Sequence, residues 1–287
     1  MKISEKFKHK RPVVSFEIFP PKRGSALTDI DETLRILSEC RPDFISVTFG
    51  AGGSSANNRT IELARKIKEE YHIDPVVHLT CLTYSREEID DFLKVLRENG
   101  LENVLALRGD RNPDIEPKQD FCHASELTAY IREKGGFCIG GACYPECHPQ
   151  SLDRVSDITY LKEKVEAGDE FLISQLFFEN SMFYSFVEYC RVAGIRVPVT
   201  AGIMPVINKA QIERMVTLCG ASLPERFCRI MNKFEDNREA LFDAGMAYAL
   251  SQVIDLLASD VDGIHLYTMN NPVVARRICE GIRNMIG

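Results

Sequence analysis

The stretch SFEIFPPK, residues 15–22, is predicted to be a β-strand with one carboxylate near its centre. Apolar residues alternate with Ser15 and Glu17, which is the two-residue period of a strand, and two prolines then end it. Because an unpaired buried charge is costly, such a carboxylate is paired, solvated in a cavity or retained for its chemistry. The surroundings of Glu17 in the folded chain therefore decide what this strand does.

The same order of a β-rich run, a polar turn and a helical stretch recurs along the whole chain. The runs predicted as strands are 13–19, 44–50, 76–82, 104–109, 138–144, 171–178, 197–204 and 263–269. Two helical stretches over about 208–258 precede the last strand. This alternation predicts an α/β fold, a (β/α)8 TIM barrel with additional helices before the last strand, in a single domain over residues 1–287. An open doubly wound sheet is the alternative.

One intervening helix is marked by its own sequence. The run SREEIDDFLKVLREN, residues 85–99, begins with a capping box in which Ser85 and Glu88 bond each other's backbone amides. Apolar residues follow at helical spacing, so we expect a helix with one buried face.

Polar residues from different strands would meet at one end of this barrel. In each predicted strand one face is apolar and packs under the helices, whereas the other turns polar toward the carboxyl end. In a barrel that second face points into the lumen, where barrel sites form. The predicted polar mouth contains Glu17, His78, Arg108, Asp110 and Gln175. In the fourth strand this places Leu105 and Leu107 on the face toward the helices.

Each mouth residue also has a purely structural interpretation. Glu17 could be the ion-pair partner of Arg108, His78 a hydrogen-bonded core histidine, and Gln175 a partner of backbone groups. Taken singly, each residue is open to either interpretation. Their conjunction, from at least five strands converging on one end, favours a functional site.

Two further motifs have alternative interpretations. The glycine-rich GAGGSS, residues 50–55, is not a dinucleotide fingerprint and is interpreted as a loop at the barrel mouth rather than a phosphate-binding loop. Asp157, Tyr160 and Lys164 are spaced to share one face of a helix. Such a face is commonly a solvated, salt-bridged one.

The composition limits the classes of partner and compartment. Lysine and arginine number 35 against 42 acidic residues, a net charge of −7, which argues against nucleic acid and anionic membranes as partners. No apolar run approaches the roughly 20 residues of a membrane span, and the basic start of the chain lacks the apolar stretch of a signal peptide. We therefore expect a cytoplasmic protein.

Ten cysteines in a cytoplasmic chain are expected to be reduced core thiols rather than a disulfide framework. The one compact cluster is CYPECH, with Cys143, Cys147 and His148. It has no CxxC pair and no second cluster at zinc-finger spacing, so no metal site is predicted.

Nine short motifs occur in order along the chain. They are SFEIFPPK, FISVTFGAGG, HLTC, LALRGD, YPECHP, LKEKVEAG, ISQLFF, GIMPV and LYTMN. Each is weak alone, but together they resemble the bacterial methylenetetrahydrofolate reductases over nearly the whole length. The resemblance implies a (β/α)8 barrel that holds FAD without a Rossmann motif and reduces 5,10-methylenetetrahydrofolate to 5-methyltetrahydrofolate.

The resemblance also implies roles for individual residues. Glu17 corresponds to the acid that protonates the folate and opens its methylene bridge to an iminium, and Asp110 to an acidic residue near the flavin and the pterin. The implied FAD-binding residues are Thr48, His78, Arg108, Asp110, Ala142, Tyr144, His148, Asp157, Lys164, Tyr267 and Met269. The implied folate-binding residues are Glu17, Asp110, Gln175 and Gln211. The helix with Asp157 and Lys164 is then a cofactor-binding helix.

Two positions depart from the well-known enteric form of the family. Met215 replaces an aromatic residue that stacks on the nicotinamide donor and the folate, and Asn271 replaces an arginine near the folate. The implied electron donor is accordingly either NADH or a partner protein, and the resemblance implies a homo-oligomer.

Two rival interpretations remain from other classes. One is a non-flavin barrel lyase that forms a Schiff base or binds a metal, but no candidate strand contains the lysine that a Schiff base needs. The other is a non-catalytic subunit that keeps the fold, against which the presence of Glu17, Asp110 and Gln175 argues.

Overall fold

Eight parallel strands form a closed barrel in chain order. The computed structural model describes residues 1–9, 11–21, 30–49, 54–111, 115–208, 211 and 220–286, with side chains of the helix at 54 described from residue 59. The strands are β1 Val13–Ile18, β2 Phe44–Val47, β3 Asp74–Thr80, β4 Asn103–Leu107, β5 Cys138–Cys143, β6 Phe171–Ser174, β7 Val199–Ile203 and β8 Gly263–Tyr267. Strand β8 pairs with β1, which closes the barrel.

Helices alternate with these strands and surround the barrel. In the described parts of the chain they are α1 Ile3–Lys6, α2 Asp31–Glu39, α3 Ser54–Tyr71, α4 Arg86–Glu98, α5 Ala124–Lys134, α6 Arg154–Ala167, α7 Asn180–Val192, α8 Glu225–Phe234, α9 Arg238–Ala258 and α10 Pro272–Ile282. The pair α8 and α9 occupies the predicted insertion before the last strand. The predicted (β/α)8 barrel is therefore confirmed, and the open doubly wound sheet is wrong.

The capping box predicted for α4 is present. The backbone amide of Glu88 donates to Ser85 Oγ over 3.3 Å, and the amide of Ser85 donates to Glu88 Oε2 over 2.7 Å. The apolar face of α4 is buried through Ile89, Phe92 and Leu93. This helix thus starts where its sequence satisfies the free amides of the first turn.

Side chains of the strands divide into an outer and an inner set. The outer set, including Val14, Phe16 and Ile18 of β1, packs with the helices in one large buried cluster. The inner set fills the lower lumen with a second apolar cluster of Ile3, Val13, Phe44, Val76, Leu105, Cys138, Phe171 and Ile173. Because these side chains fill the lower lumen, the open space that the described residues enclose lies above it, toward the carboxyl ends of the strands.

The predicted orientation of β4 is wrong. Leu105 and Leu107 face the lumen with the lower cluster, whereas Val104 and Ala106 pack under the helices. The prediction assigned the inner face of this strand from Arg108 and Asp110, but β4 ends at Leu107, before both residues. Beyond that residue the chain turns at a glycine of positive φ, so the two-residue period no longer applies.

One helix in the described part of the chain, α9, is long and apolar enough by length and composition to cross a membrane. Its side chains Leu241, Met246 and Val253 are buried in the packing around the barrel. A long apolar helix that packs in the core of a globular fold has the same length and composition. The buried side chains of α9 show that it packs against the barrel in this way.

The short helix α1 closes the lower end of the lumen. Ile3 is fully buried among the strand side chains of the lower cluster, and its amide donates to Asn103 Oδ1 over 2.9 Å. Phe7 stacks on the ring of Phe171, with centroids 6.0 Å apart. These contacts seal the apolar layer that supports the upper lumen.

We expect Ile3→Ala to lower the free energy of unfolding by about 2–4 kcal/mol, because the substitution removes buried methyl groups and leaves a cavity in the lower cluster. Urea denaturation followed by circular dichroism measures the change. Leu152→Ala is the matched control, since Leu152 is 93% exposed and its loss should change stability by less than about 0.5 kcal/mol. Equal effects of the two substitutions would show that α1 does not support the barrel.

Candidate active site

A cavity of about 1790 Å³ opens at the carboxyl ends of the strands. Its walls contain all but one of the residues predicted for the site: Glu17, Thr48, His78, Arg108, Asp110, Ala142, Tyr144, His148, Asp157, Lys164, Gln175, Tyr267 and Met269. The exception is Gln211, whose Oε1 accepts from the amide of Ile207 over 3.0 Å. Strands and loops from around the whole barrel thus contribute to one site.

Glu17 of β1 and His78 of β3 form a pair at the floor of the cavity. Glu17 Oε2 lies 3.6 Å from His78 Nε2. Burial raises the pKa of Glu17 to about 8 and lowers the pKa of His78 to about 4. Near pH 7 both groups are therefore neutral: Glu17 is a protonated carboxylic acid, and His78 is an uncharged imidazole.

The two partners differ in what else they contact. The side chain of Glu17 is 22% exposed, toward the cavity that it lines. His78 Nε2 is buried and has no hydrogen-bond partner within bonding distance. A buried polar atom without a partner is costly, so this nitrogen is a position at which a ligand or a rotated Glu17 hydroxyl would complete the bonding.

A second histidine lies in the lumen beside this pair. His265 is fully buried, with Nδ1 2.8 Å from Ser15 Oγ and Nε2 3.5 Å from Ser46 Oγ. Burial, with a smaller contribution from His78, lowers the pKa of His265 to about 3. His265 therefore adds hydrogen bonds but no charge to the floor. Strand alternation predicted its inward orientation without assigning it a role.

Arg108 is not the ion-pair partner of Glu17. Its Nη1 donates to Gln150 Oε1 over 2.6 Å, and its Nε donates to the carbonyl of Gly109 over 3.2 Å. Gly109 has φ +86°, and a Cβ there would lie 3.0 Å from Thr80 Cβ, so glycine is required for this turn. The turn carries both Arg108 and Asp110 to the cavity wall.

The loop after β5 supplies a further part of the wall. The rings of Tyr144 and His148 meet edge to face, with centroids 4.5 Å apart. His148 Nδ1 accepts from the amide of Gln150 over 3.0 Å, and burial, assisted by Arg108, lowers the pKa of His148. Ser151 Oγ donates to Asp157 Oδ1 over 2.8 Å.

Gln150 and Ser151 were not predicted as site residues. The available signal was their position as the two residues directly after the YPECHP motif, which ends at Pro149. They hold Arg108 and Asp157 in place through the hydrogen bonds described above. They are therefore supporting residues of the wall.

The cysteines of the CYPECH cluster differ in burial. Cys143 is buried with the outer cluster and, like His148, borders the cavity, whereas Cys147 is half-buried. Cys147 has a positive φ of 79° between them. Among the described residues no group of three histidine, cysteine or acidic side chains is arranged to hold a metal ion.

Lys164 of α6 is turned inward rather than solvated. Its Nζ donates to the carbonyl of Ala142 over 2.6 Å and lies 3.9 Å from Asp169 Oδ2. Tyr160, predicted on the same face, is 56% exposed. Lys164 thus presents a fixed positive charge at the cavity wall.

Asp169 is a buried carboxylate behind Lys164 that sequence reasoning missed. Thr128 Oγ1 donates to Asp169 Oδ1 over 2.9 Å. Burial raises the pKa of Asp169 to about 6, and the nearby Lys164 opposes that rise. A Cβ on Gly141 would lie 1.9 Å from Asp169 Oδ2, so only glycine leaves room for the carboxylate. The available signal was the pair of acidic residues, Asp169 and Glu170, before strand β6.

The opposite wall carries the remaining predicted residues. Gln175 Oε1 accepts from the amide of Leu176 over 2.9 Å, which leaves its side-chain NH2 available to the cavity. The hydroxyl of Tyr267 donates to the carbonyl of Ser174 over 2.7 Å. Met269 follows in a left-handed conformation with φ 53° and is 39% exposed.

Three predicted features remain. Met215 and residues 50–53 of the glycine-rich motif lie outside the described residues. Asn271 is the N-cap of α10, and its Oδ1 accepts from the amide of Val273 over 3.1 Å.

A sequence model of the family described as methylenetetrahydrofolate reductase matches residues 2–283. The "5,10-methylenetetrahydrofolate reductase" of Escherichia coli (strain K12) is 31% identical over 94% of this chain and 91% of its own length. The "Probable methylenetetrahydrofolate reductase (NADH)" of Oryza sativa subsp. japonica is 36% identical over 94% of this chain and 48% of its own. The chain thus spans about half the length of the plant relative.

Among solved structures, an uncharacterized protein from Clostridium thermocellum superimposes with a TM-score of 0.68 at 13% identity, covering 97% of this chain and 99% of its own. It is described as binding two copies of 5-methyl-5,6,7,8-tetrahydrofolic acid. At this identity the likeness supports the barrel fold. The family is shown by the match over residues 2–283 and by the bacterial relatives. The chain belongs to the methylenetetrahydrofolate reductase family.

Proposed function

We propose that the protein is an FAD-dependent oxidoreductase that reduces 5,10-methylenetetrahydrofolate to 5-methyltetrahydrofolate. The observation that carries this proposal is the position of Glu17, which lines a large cavity 3.6 Å from His78 and is buried so that its pKa rises to about 8. A carboxylic acid that stays protonated near pH 7 can act as a general acid. The names and similarity of the relatives supply the substrate class.

The cavity fits a flavin dinucleotide together with a second ligand. Its volume of about 1790 Å³ exceeds the roughly 300–1,000 Å³ of common single-ligand pockets. Arg108 and Lys164 place two cations on its walls, which suits a diphosphate. The unpartnered His78 Nε2 offers a polar contact at the floor.

Among the residues that line the cavity, Thr48, Arg108, Tyr144 and Lys164 are proposed to bind FAD. When bound, FAD supplies the hydride. The protein supplies orientation, a proton and the exclusion of water. Asp110 and Gln175 are proposed to contact the folate, and Gln211 stays a prediction because it lies outside the cavity wall.

Glu17 acts in this proposal by moving one proton. Its hydroxyl protonates an amine nitrogen of the methylene bridge, the carbon–nitrogen bond breaks, and an iminium carbon is left as the hydride acceptor. The carboxylate that remains lies next to a cation, which stabilises it in a site that otherwise disfavours its charge. Neutral His78 does not compete for this role, since burial keeps its pKa near 4.

The electron donor is proposed to be NADH or a partner protein. Plant relatives carry NADH in their names, and they are about twice as long as the part matched here. The residue that departs at the nicotinamide position, Met215, can cover a ring without stacking on it. The two donors are distinguished by the experiment below.

We expect the purified protein, loaded with FAD, to be yellow and to lose its colour when dithionite reduces the flavin anaerobically. Addition of 5,10-methylenetetrahydrofolate should then reoxidise the flavin and restore the colour. This half-reaction needs no natural donor, so it tests the folate chemistry alone. Bleaching by NADH in a parallel sample would identify a self-sufficient reductase, and indifference to NADH and NADPH would favour a partner protein. Failure of the folate to restore the colour would contradict the proposed function.

We expect Glu17→Gln to retain FAD and its reduction by the donor but to slow flavin reoxidation by the folate at least about 100-fold, because an amide cannot donate the proton. Stopped-flow absorbance separates the two half-reactions. Glu62→Gln, at an exposed carboxylate on α3, is the matched control and should behave as the unaltered protein. Reoxidation of Glu17→Gln at the full rate would show that Glu17 is not the acid.

The rate of flavin reoxidation by the folate should be flat below pH 8 and fall about tenfold per pH unit above it. The acid must be protonated to act, and Glu17 has its pKa at about 8 in the free site. Single-turnover rates between pH 6 and 10 measure the profile. Glu17→Gln should lose the limb near pH 8, and persistence of that limb in the variant would assign it to another group.

A further inference from the structure

The loop that follows β8 binds the end of β1 through two side chains. The paired register of β1 against β8 ends at Glu17 and Tyr267. Directly after it, Thr268 Oγ1 donates to the carbonyl of Glu17 over 2.9 Å. Asn270 Nδ2 donates to the carbonyl of Phe19 over 2.8 Å, and Asn270 Oδ1 accepts from the amide of Phe19 over 3.0 Å. One side-chain amide thus replaces the two bonds that a neighbouring strand would supply.

The sequence explains why this contact falls on Phe19. Pro20 and Pro21 follow, and proline has no backbone amide with which a ladder could continue. Phe19 is therefore the last residue of this stretch that can bond through both its amide and its carbonyl. On the opposite edge of β1 backbone pairing suffices, since the amide of Thr48 donates to the carbonyl of Ile18 over 3.0 Å.

The backbone of the loop turns sharply to present the side chain of Asn270. Met269 and Asn270 have φ values of 53° and 55°, in the left-handed region. The amide of Asn271 donates to the carbonyl of Thr268 over 2.9 Å, which closes the turn. Asparagine enters the left-handed region more readily than most other residues with a side chain. Asn270 therefore combines tolerance of this φ with an amide that bonds both backbone groups of Phe19.

Glu17 lies next to the bonded groups. Its own carbonyl is bonded by Thr268, and the residue two positions further is bonded by Asn270, so the backbone of β1 is fixed where it leaves the sheet. The side chain of Glu17 lines the cavity, 3.6 Å from His78 Nε2. Neither Asn270 nor Thr268 lines the cavity, so both act there through other residues.

We propose that Asn270 is a positioning residue that sets the place of the Glu17 side chain for proton transfer to the folate. This inference rests on the proposed function, because it acts through the acid assigned there. It adds a residue outside the cavity whose side-chain amide determines how well that acid is placed. A proton donor must lie within hydrogen-bond reach of its acceptor, and a small displacement of a catalytic group costs much of the rate.

Asn270→Gly isolates the side-chain contact. Glycine takes the positive φ of this position without strain, so the turn is kept while both bonds to Phe19 are lost. Asn99→Gly is the matched control. Asn99 Nδ2 also donates to a backbone carbonyl, that of Val95 over 2.8 Å, but Asn99 caps the carboxyl end of α4 and does not line the cavity. Only Asn270→Gly should alter the step that involves the folate.

Hydrogen–deuterium exchange of the FAD-loaded protein without folate tests the contact itself. Because Pro20 and Pro21 have no amide, a peptide that covers this stretch reports the Phe19 amide with few others. Asn270→Gly should exchange that amide at least about tenfold faster, since its acceptor is lost. Asn99→Gly should leave the exchange unchanged. Equal exchange in Asn270→Gly and the unaltered protein would show that the contact does not hold Phe19 and would overturn the proposal.

Anaerobic single-turnover reoxidation of the reduced flavin by 5,10-methylenetetrahydrofolate tests the role in the reaction. We expect Asn270→Gly to lower the maximal rate about 10- to 100-fold, whereas the folate concentration that gives half of that rate changes less than about twofold. FAD affinity, measured by flavin fluorescence, should be unchanged. Weaker binding of FAD or folate at an unchanged maximal rate would assign Asn270 to binding and overturn its positioning role.

A double-mutant cycle with Glu17→Gln tests whether the effect passes through the acid. Glu17→Gln has no proton left to position, so adding Asn270→Gly should slow reoxidation by less than about twofold further. A further loss as large as the one seen with Glu17 present would show that Asn270 acts on the flavin or the folate, and would overturn the proposal.

The same rates separate a failure of this inference from a failure of the proposed function. A normal rate in Asn270→Gly beside a slow rate in Glu17→Gln would overturn the positioning role and leave the proposed function standing. An unaltered protein that the folate does not reoxidise would overturn the proposed function, and the positioning role with it.

Discussion

The burial of one carboxyl group is the constraint around which the upper half of this barrel is organised. Moving the pKa of Glu17 from its ordinary 4.5 to about 8 corresponds to about 5 kcal/mol of differential solvation between its ionised and neutral forms. No cation within the described site offsets that difference, because the partner of Glu17 is a histidine that burial keeps neutral. The carboxyl group of Glu17 is therefore kept protonated near pH 7 by burial without a neighbouring cation.

This arrangement has a cost for the folded protein that depends on pH. Glu17 binds its proton more tightly in the folded state than in the unfolded state, so the folded state loses relative stability as pH rises from 4.5 to about 8. His78 and His265 have lowered pKa values, so their burial costs stability as pH falls below 6.5. The apolar side chains buried in the lower lumen and under the helices contribute stability that offsets these costs.

Sequence reasoning predicted most of the framework because the framework depends on local patterns. Alternation in β1 placed Glu17 inward, and the capping box located the start of α4. The same alternation failed at β4, where Leu105 and Leu107 face the lumen, because the strand ends before the polar residues that were used to set its phase. Pairings through space were harder to predict. The sequence suggested Arg108 as a partner of Glu17. In the structure Glu17 lies beside His78, and Arg108 donates to Gln150. Such choices depend on strand register and turn geometry, which no short motif records.

Asp169 shows how far one such unpredicted contact reaches. Its carboxylate is buried beside Lys164, and it fits only because residue 141 is glycine. Thr128 of α5 donates to the same carboxylate, so two helices, α5 and α6, and strand β5 converge on it. Lys164 in turn bonds the carbonyl of Ala142 at the end of β5. The positive charge at the cavity wall is thus positioned partly by residues outside the cavity, Asp169 and Thr128. The lumen thus combines an uncharged pair, Glu17 and His78, with a cationic wall at Lys164, whose charge Asp169 partly compensates.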